Sequence, residues 1–184
     1  MTLPSGTVTF LFTDIEGSTK LARANPGTWE EIRARHASTL RTAIESNHGF
    51  IFQVIGDTFC SAFGTAGDAL LAALAAQREL ERMNNDSAFV IQPSSLSLRV
   101  RMGIHTGEAE TDGRDYRGYL TLSLVQRVMS AGHGGQILIS NATENLLRGQ
   151  LPAEVTLRDM GEHKLKDAPL PVRIFQVVAP DLQS

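Results

Sequence analysis

The sequence predicts an α/β protein, an α+β sandwich compatible with a ferredoxin-like βαββαβ core carrying extra strands. Three observations carry this. Val8 to Phe12 is a short run of β-branched, aromatic and aliphatic residues closed by a carboxylate, as a buried strand would be. Two further apolar runs, Phe50 to Ile55 and Thr58 to Phe63, flank Gly56-Asp57 and read as a hairpin. Between and after these strands lie segments with helical spacing, above all the Ala- and Leu-rich stretch from Asp68 to Met83.

The remaining elements follow in order. After Asp14, a short helix runs from Ser18 to about Ala24 and breaks at Asn25-Pro26-Gly27. A longer helix begins with Thr28 as cap and Glu31 completing a capping-box pattern. Its apolar stripe is Trp29, Ile32, His36, Leu40 and Ile44, in which Trp29 and His36 are read as packing residues, and Asn47-His48-Gly49 stops it. Asn84 to Ser95 reads as a polar loop with an apolar excursion at Phe89-Val90-Ile91. Leu96 to His105 alternates through Leu98, Val100, Met102 and Ile104, a half-buried strand ended by Thr106-Gly107-Glu108. Asp112 to Asp115 forms a hairpin tip or loop, and a helix spans Gly118 to Ala131 with Leu122, Val125 and Met129 on one stripe. Gln136 to Ser140 is a short strand, Asn141 caps a helix to about Arg148, and Val155 to Met160 and Val172 to Val178 are the last strands.

At 184 residues the chain suits one domain, 1–184, with the start of a linker at 179–184. A net charge of −3 gives no electrostatic reason to expect nucleic acid as partner. No run of about 18 apolar residues occurs, so no membrane span is expected. The N-terminus lacks the pattern of a signal peptide, and Cys60 stands alone in an apolar run, a core residue with no intrachain disulfide partner. A cytoplasmic location is the expectation.

The chemistry begins where the first strand ends. Asp14 supplies a hard oxygen ligand for a divalent cation, and Gly17, Ser18 and Thr19 offer backbone amides at a helix start, where phosphate is favoured. Metal beside phosphate suggests a nucleotide. The alternative is that Asp14, or else Ser18 or Thr19, merely caps the helix. Asp57, at the hairpin tip, is an ordinary turn residue unless the hairpin pairs beside the first strand. In that case Asp14 and Asp57 converge on one metal site.

With these residues in place, the chain from Thr7 to Val178 resembles a class III nucleotidyl cyclase catalytic domain. The resemblance is carried by Phe12-Thr-Asp-Ile-Glu-Gly-Ser-Thr19, Ile55-Gly-Asp57, Gly103-Ile-His-Thr-Gly-Glu108, Arg127 with the following Ala-Gly-His-Gly-Gly-Gln136, and Gly161-Glu-His-Lys-Leu-Lys166. It implies a class III cyclase-type fold and an adenylate cyclase, a lyase that makes cyclic AMP and pyrophosphate from ATP for signal transduction. The ribose 3′-hydroxyl attacks the α-phosphorus with the help of two divalent cations, magnesium or manganese. It assigns Asp14, Asp57 and the Ile15 carbonyl to metal, and Gly17, Ser18 and Thr19 to phosphate. Gln53 and Asp115 fall at base-binding positions, the Asp going with adenine. Arg127, Ser123 and Lys166 fall at catalytic positions, Arg127 as the transition-state cation.

The resemblance further implies a homodimer in which one chain supplies the metal carboxylates and the other the arginine, with regulatory domains attached in a longer natural chain. Three positions depart from the family pattern: Gln53 replaces a lysine, Ser123 an asparagine, and Ala168 stands where a phosphate-contacting lysine aligns, leaving Lys166 as the nearest candidate. These departures point to a second reading, a weak or inactive cyclase-like domain that binds nucleotide or dimerises to regulate an attached module. A metal-dependent phosphotransferase of another family is a third, and it leaves the Arg127 region unexplained.

Overall fold

The structure, a computed structural model, describes residues 3–86, 91, 97–166, 168 and 170–182. Strand β1 (Gly6–Ile15) leads through helices α1 (Ser18–Ala24) and α2 (Trp29–Ser46) into the hairpin β2 (Phe50–Ile55) and β3 (Thr58–Phe63). Helix α3 (Ala66–Asn85) then returns the chain to β4 (Val100–Thr111). These four strands lie in the order β2-β3-β1-β4 with antiparallel neighbours, the ferredoxin-like arrangement expected from the sequence. Beyond them come β5 (Tyr116–Arg117), α4 (Tyr119–Ser130), β6 (Ile137–Ser140), α5 (Asn141–Leu147), β7 (Thr156–His163) and β8 (Val172–Val178). β6 joins β4 in parallel across the α4 crossover, and β8 and β7 complete the sheet.

β1 is covered on both faces, which is why it reads as an unbroken apolar run. Leu11 and Ile15 pack with Phe59, Phe63 and Met102 against Leu40, Ile44, Leu70 and Leu74 of α2 and α3. Val8, Phe10 and Phe12 face the other way, with Cys60 and Tyr116, under Val125 and Met129 of α4. Helix α4 lies close on β4. A Cβ placed on Gly103 would come 2.4 Å from the backbone nitrogen of Met129, so only glycine permits this approach.

Several boundaries differ from expectation. β4 does not end at Thr106-Gly107-Glu108 but runs on to Thr111, because β1 pairs with it from Ile15↔Val100 to Gly6↔Ala109. Gly107 marks close packing rather than a strand end, since a Cβ there would meet the Thr121 side chain at 2.8 Å. The strand also starts later than Leu98, which is buried but outside it. Thr28 occupies the cap position of α2 without a side-chain cap bond, and Glu31 is engaged by Arg35 instead. α5 is capped by Ser140, whose hydroxyl accepts from the Thr143 amide, and Asn141 is its first residue. α3 is longer at both ends, with Thr65 accepting from the Asp68 amide at 3.0 Å. Leu96 and the Phe89-Val90 part of the expected loop lie outside the described residues. Among the described residues no helix is long and apolar enough to cross a membrane.

Candidate active site

Two aspartates meet at one end of the central strands. Asp14 lies near the end of β1, and Asp57 in the β2–β3 turn. The Ile15 amide donates to Asp57 Oδ2 at 3.2 Å, and the Thr58 hydroxyl donates to Asp14 Oδ1 at 2.9 Å. Each carboxylate is thus bonded to the residue beside the other, so the pair converges. The register that does this comes from β3 pairing beside β1, with Phe12↔Cys60 and Thr13↔Phe59.

Arg101 completes the cluster, and sequence reasoning missed it. It stands opposite Asp14 in the β1–β4 register and donates to Asp14 Oδ2 from Nε at 3.0 Å and Nη2 at 2.6 Å. Its place in a strand alternating through Val100, Met102 and Ile104 showed that it projects away from those residues, but not what it meets. With its oxygens engaged by Thr58 and Arg101, Asp14 does not cap α1. The residue at that cap is Gly17, in the left-handed region with φ 69°.

Next to Ile15, the first intrahelical bonds of α1 run from Lys20 and Leu21 to the Gly17 carbonyl. The amides of Gly17, Ser18 and Thr19 precede that ladder. The turn is braced from behind: the Glu16 amide donates to the Arg99 carbonyl at 2.9 Å, and the Glu16 carboxylate lies 3.5 Å from His133 Nδ1.

Gln53 and Asp115 each adjoin an aromatic residue of one packed cluster, Phe52 and Tyr116. The bulge between Ile51 and Gln53 places Gln53 opposite Cys60 on the exposed edge strand β2. Phe52 packs edge-on against Tyr116, ring centroids 4.9 Å apart, and both rings pack on Phe10. Tyr116 follows Asp115, whose carboxylate accepts the Tyr116 amide at 2.7 Å. Burial first, and the Asp115 charge second, push the Cys60 thiol up to about 12, so it is an inert core group within reach of the Asp115 field.

Ser123 and Arg127 lie on α4, and Lys166 follows β7. Leu124 and Val128 of α4 share an apolar cluster with Leu165, Val172, Ile174 and Ala168, so Leu165 and Ala168 lie against the helix. Lys166 is exposed beside Leu165, while Ala168 faces the apolar cluster. Among the described residues the Ser123 hydroxyl is buried without a hydrogen-bond partner, and neither Arg127 nor Lys166 has an ion pair. No bond joins this group to Asp14 and Asp57 among the described residues.

The side-chain donors at the aspartate pair are carboxylate oxygens, which suit a hard cation such as Mg²⁺ or Mn²⁺. Among the described residues no three His, Cys, Asp or Glu side chains converge. A cation here would therefore keep positions for phosphate or water oxygens, as magnesium commonly does.

The fold thus sets a carboxylate pair beside the amides of a helix start, and comparison identifies the family. Residues 2–178 match the adenylate and guanylate cyclase catalytic domain, and the chain belongs to that family. An uncharacterised protein of Mycobacterium tuberculosis is 36% identical over 183 residues, covering 98% of this chain and 59% of the relative. The chain thus spans about three-fifths of that relative's length. The receptor-type adenylate cyclase GRESAG 4.3 of Trypanosoma brucei brucei is 29% identical, over 96% of this chain and 17% of its own. Among solved structures, the adenylyl cyclase CyaB from P. aeruginosa superposes with a TM-score of 0.81 at 25% identity, covering 97% of each chain. Adenylate cyclases from Trypanosoma brucei, solved in their monomeric state, superpose at 0.76 with 26% identity over 96% of this chain and 91% of theirs.

Proposed function

We propose that this chain is the catalytic domain of an adenylate cyclase, acting on ATP at two equivalent sites of a homodimer. The observation that carries the reading is that the Thr58 hydroxyl bonds Asp14 and the Ile15 amide bonds Asp57, beside the amides of Gly17, Ser18 and Thr19. Asp14, Asp57 and the Ile15 carbonyl would hold two divalent cations, Mg²⁺ or Mn²⁺, whose chemistry when bound is Lewis-acid polarisation of phosphate and acidification of the ribose 3′-hydroxyl. The three amides receive phosphate oxygens. Arg127 neutralises charge that builds on the α-phosphoryl group and leaving oxygen. Ser123 reaches the ribose, through water where its short side chain falls short, and Lys166 lies at the phosphates.

The Asp115 carboxylate accepts from the exocyclic amine of adenine and repels the carbonyl oxygen that guanine carries there. Gln53 adds an amide able to donate or accept. Dimerisation is supported by apolar side chains left in solvent: Tyr119 and Leu120, 79% and 72% exposed at the start of α4, and Val54 and Ile55 on β2. Among the described residues Arg127 makes no bond to the aspartates of its own chain, and the family resemblance assigns it to the partner's site. A reducing, ATP-supplied cytoplasm suits this reading, and the entire 184-residue chain would be one catalytic domain.

The test is direct. Purified protein with Mg²⁺ or Mn²⁺ should convert ATP to cyclic AMP, faster with Mn²⁺. Absence of cyclic nucleotide from both ATP and GTP at high enzyme concentration overturns the enzyme reading. The second reading, a nucleotide-binding regulatory domain, draws on the partnerless Ser123 hydroxyl and on Gln53, and it would then stand if nucleotide still binds.

A further inference from the structure

The aspartate pair is guarded unevenly. Both oxygens of Asp14 are engaged, Oδ1 by the Thr58 hydroxyl and Oδ2 by two guanidinium donors of Arg101. Asp57 accepts the Ile15 amide and has no cationic partner among the described residues. Arg101 is not a stray surface side chain. It is fixed opposite Asp14 by a ten-residue register between β1 and β4. Its guanidinium sets one positive charge against the two carboxylates that meet there. A divalent cation at Asp14 and this guanidinium repel, and on Oδ2 they compete for lone pairs that two guanidinium donors already occupy. At 30% side-chain exposure, Arg101 has an open path into solvent.

We propose that Arg101 is an internal cation that holds Asp14 in the metal-free protein, so that metal enters the Asp14 side by exchange for the guanidinium. This rests on the reading of Asp14 and Asp57 as metal ligands. Metal alone then binds in two stages, first at the open Asp57 and then at Asp14 as Arg101 leaves. The ion pair sets the divalent concentration at which the site fills and below it offsets one of the two carboxylate charges.

Two measurements test the exchange, neither of which needs turnover. In nitrogen-15 spectra of the wild-type protein without nucleotide, the Arg101 Nε–H signal should be protected from exchange. Titration with Mg²⁺ should then move it toward the position and rapid exchange of a free arginine. By electron paramagnetic resonance, Arg101→Gln should bind Mn²⁺ about thirtyfold more tightly than wild type, the effect on a doubly charged ion of one unit charge about 4 Å away under full water screening. Arg99→Gln removes a nearby charge that bonds Ser97 and not Asp14, and should tighten binding less. An Arg101 signal unmoved at saturating Mg²⁺, or Arg101→Gln no tighter than Arg99→Gln, overturns the exchange. If Asp14→Ala binds Mn²⁺ as wild type does, the metal-site reading falls, and the exchange with it.

Discussion

Lowering the pH from 7.5 to 5 should remove a calculable part of the stability, through two buried histidines. His36 on α2 is fully buried, stacked edge-on against Phe59 with centroids 5.8 Å apart, and neither ring nitrogen has a hydrogen-bond partner among the described residues. His105 on β4 is nearly as buried, its Nδ1 2.7 Å from the Ser140 hydroxyl. Burial lowers both from 6.5 to about 4, the Asp14 charge opposing this only in part at His36. Between those values the unfolded chain binds protons that the folded protein refuses, so stability is complete above pH 6.5 and is lost as pH falls toward 4. At pH 5 the loss is roughly 2 kcal/mol for each histidine and about 4 kcal/mol for the two together. That is a large share of a typical total of about 5–15 kcal/mol. The carboxylates of Asp159 and Asp181, held low by Arg173 and Arg78, give up their contribution only at more acidic pH. Urea unfolding at pH 7.5, 6.5, 5.5 and 5 reads the loss directly as a shift in midpoint at constant slope. His36→Leu keeps the volume and removes the titration, so the loss at pH 5 should fall by about half, to roughly 2 kcal/mol. A wild-type midpoint that stays level from pH 7.5 to 5, or a His36→Leu protein that keeps the full loss, refutes the reasoning.

Asp57→Ala and Arg127→Ala should each be nearly inactive with the fold intact, loss of a transition-state cation costing roughly 10³-fold or more by analogy with arginine fingers. If the sites are shared between chains, an equal mixture that exchanges subunits should recover about a quarter of wild-type activity, because about half the dimers are mixed and each has one complete site of two. Exchange without recovery would place Arg127 and Asp57 in the same chain's site, or leave Arg127 structural. Gly103→Ala should destabilise by about 1–3 kcal/mol or more, since the new Cβ meets the Met129 backbone rather than a side chain that can yield. A wild-type denaturation midpoint for that variant would mean that α4 is not seated on β4 as described.

The sequence by itself determined the elements and the side chains that belong to them. Short-range rules sufficed for the β2–β3 hairpin around Gly56-Asp57, for the stripe of α2 and for the doubly buried β1, because turn chemistry and periodicity are local. The motifs also named the family that the match over residues 2–178 establishes. Ends of elements were less legible: the Gly107 that looked like a strand end is a contact with Thr121, which no local pattern reveals. Only the tertiary structure decided how distant groups meet. The β1–β3 register brings Asp57 to Ile15 across 42 positions, and the β1–β4 register sets Arg101 on Asp14 across 87. Such register is fixed by long ladders and by which face each strand must bury, and a slip of one residue would turn every side chain to the other face. The sequence could name Asp14 as a carboxylate at a strand end. That it stands bonded to an arginine follows from pairing between strands, a property of the folded sheet.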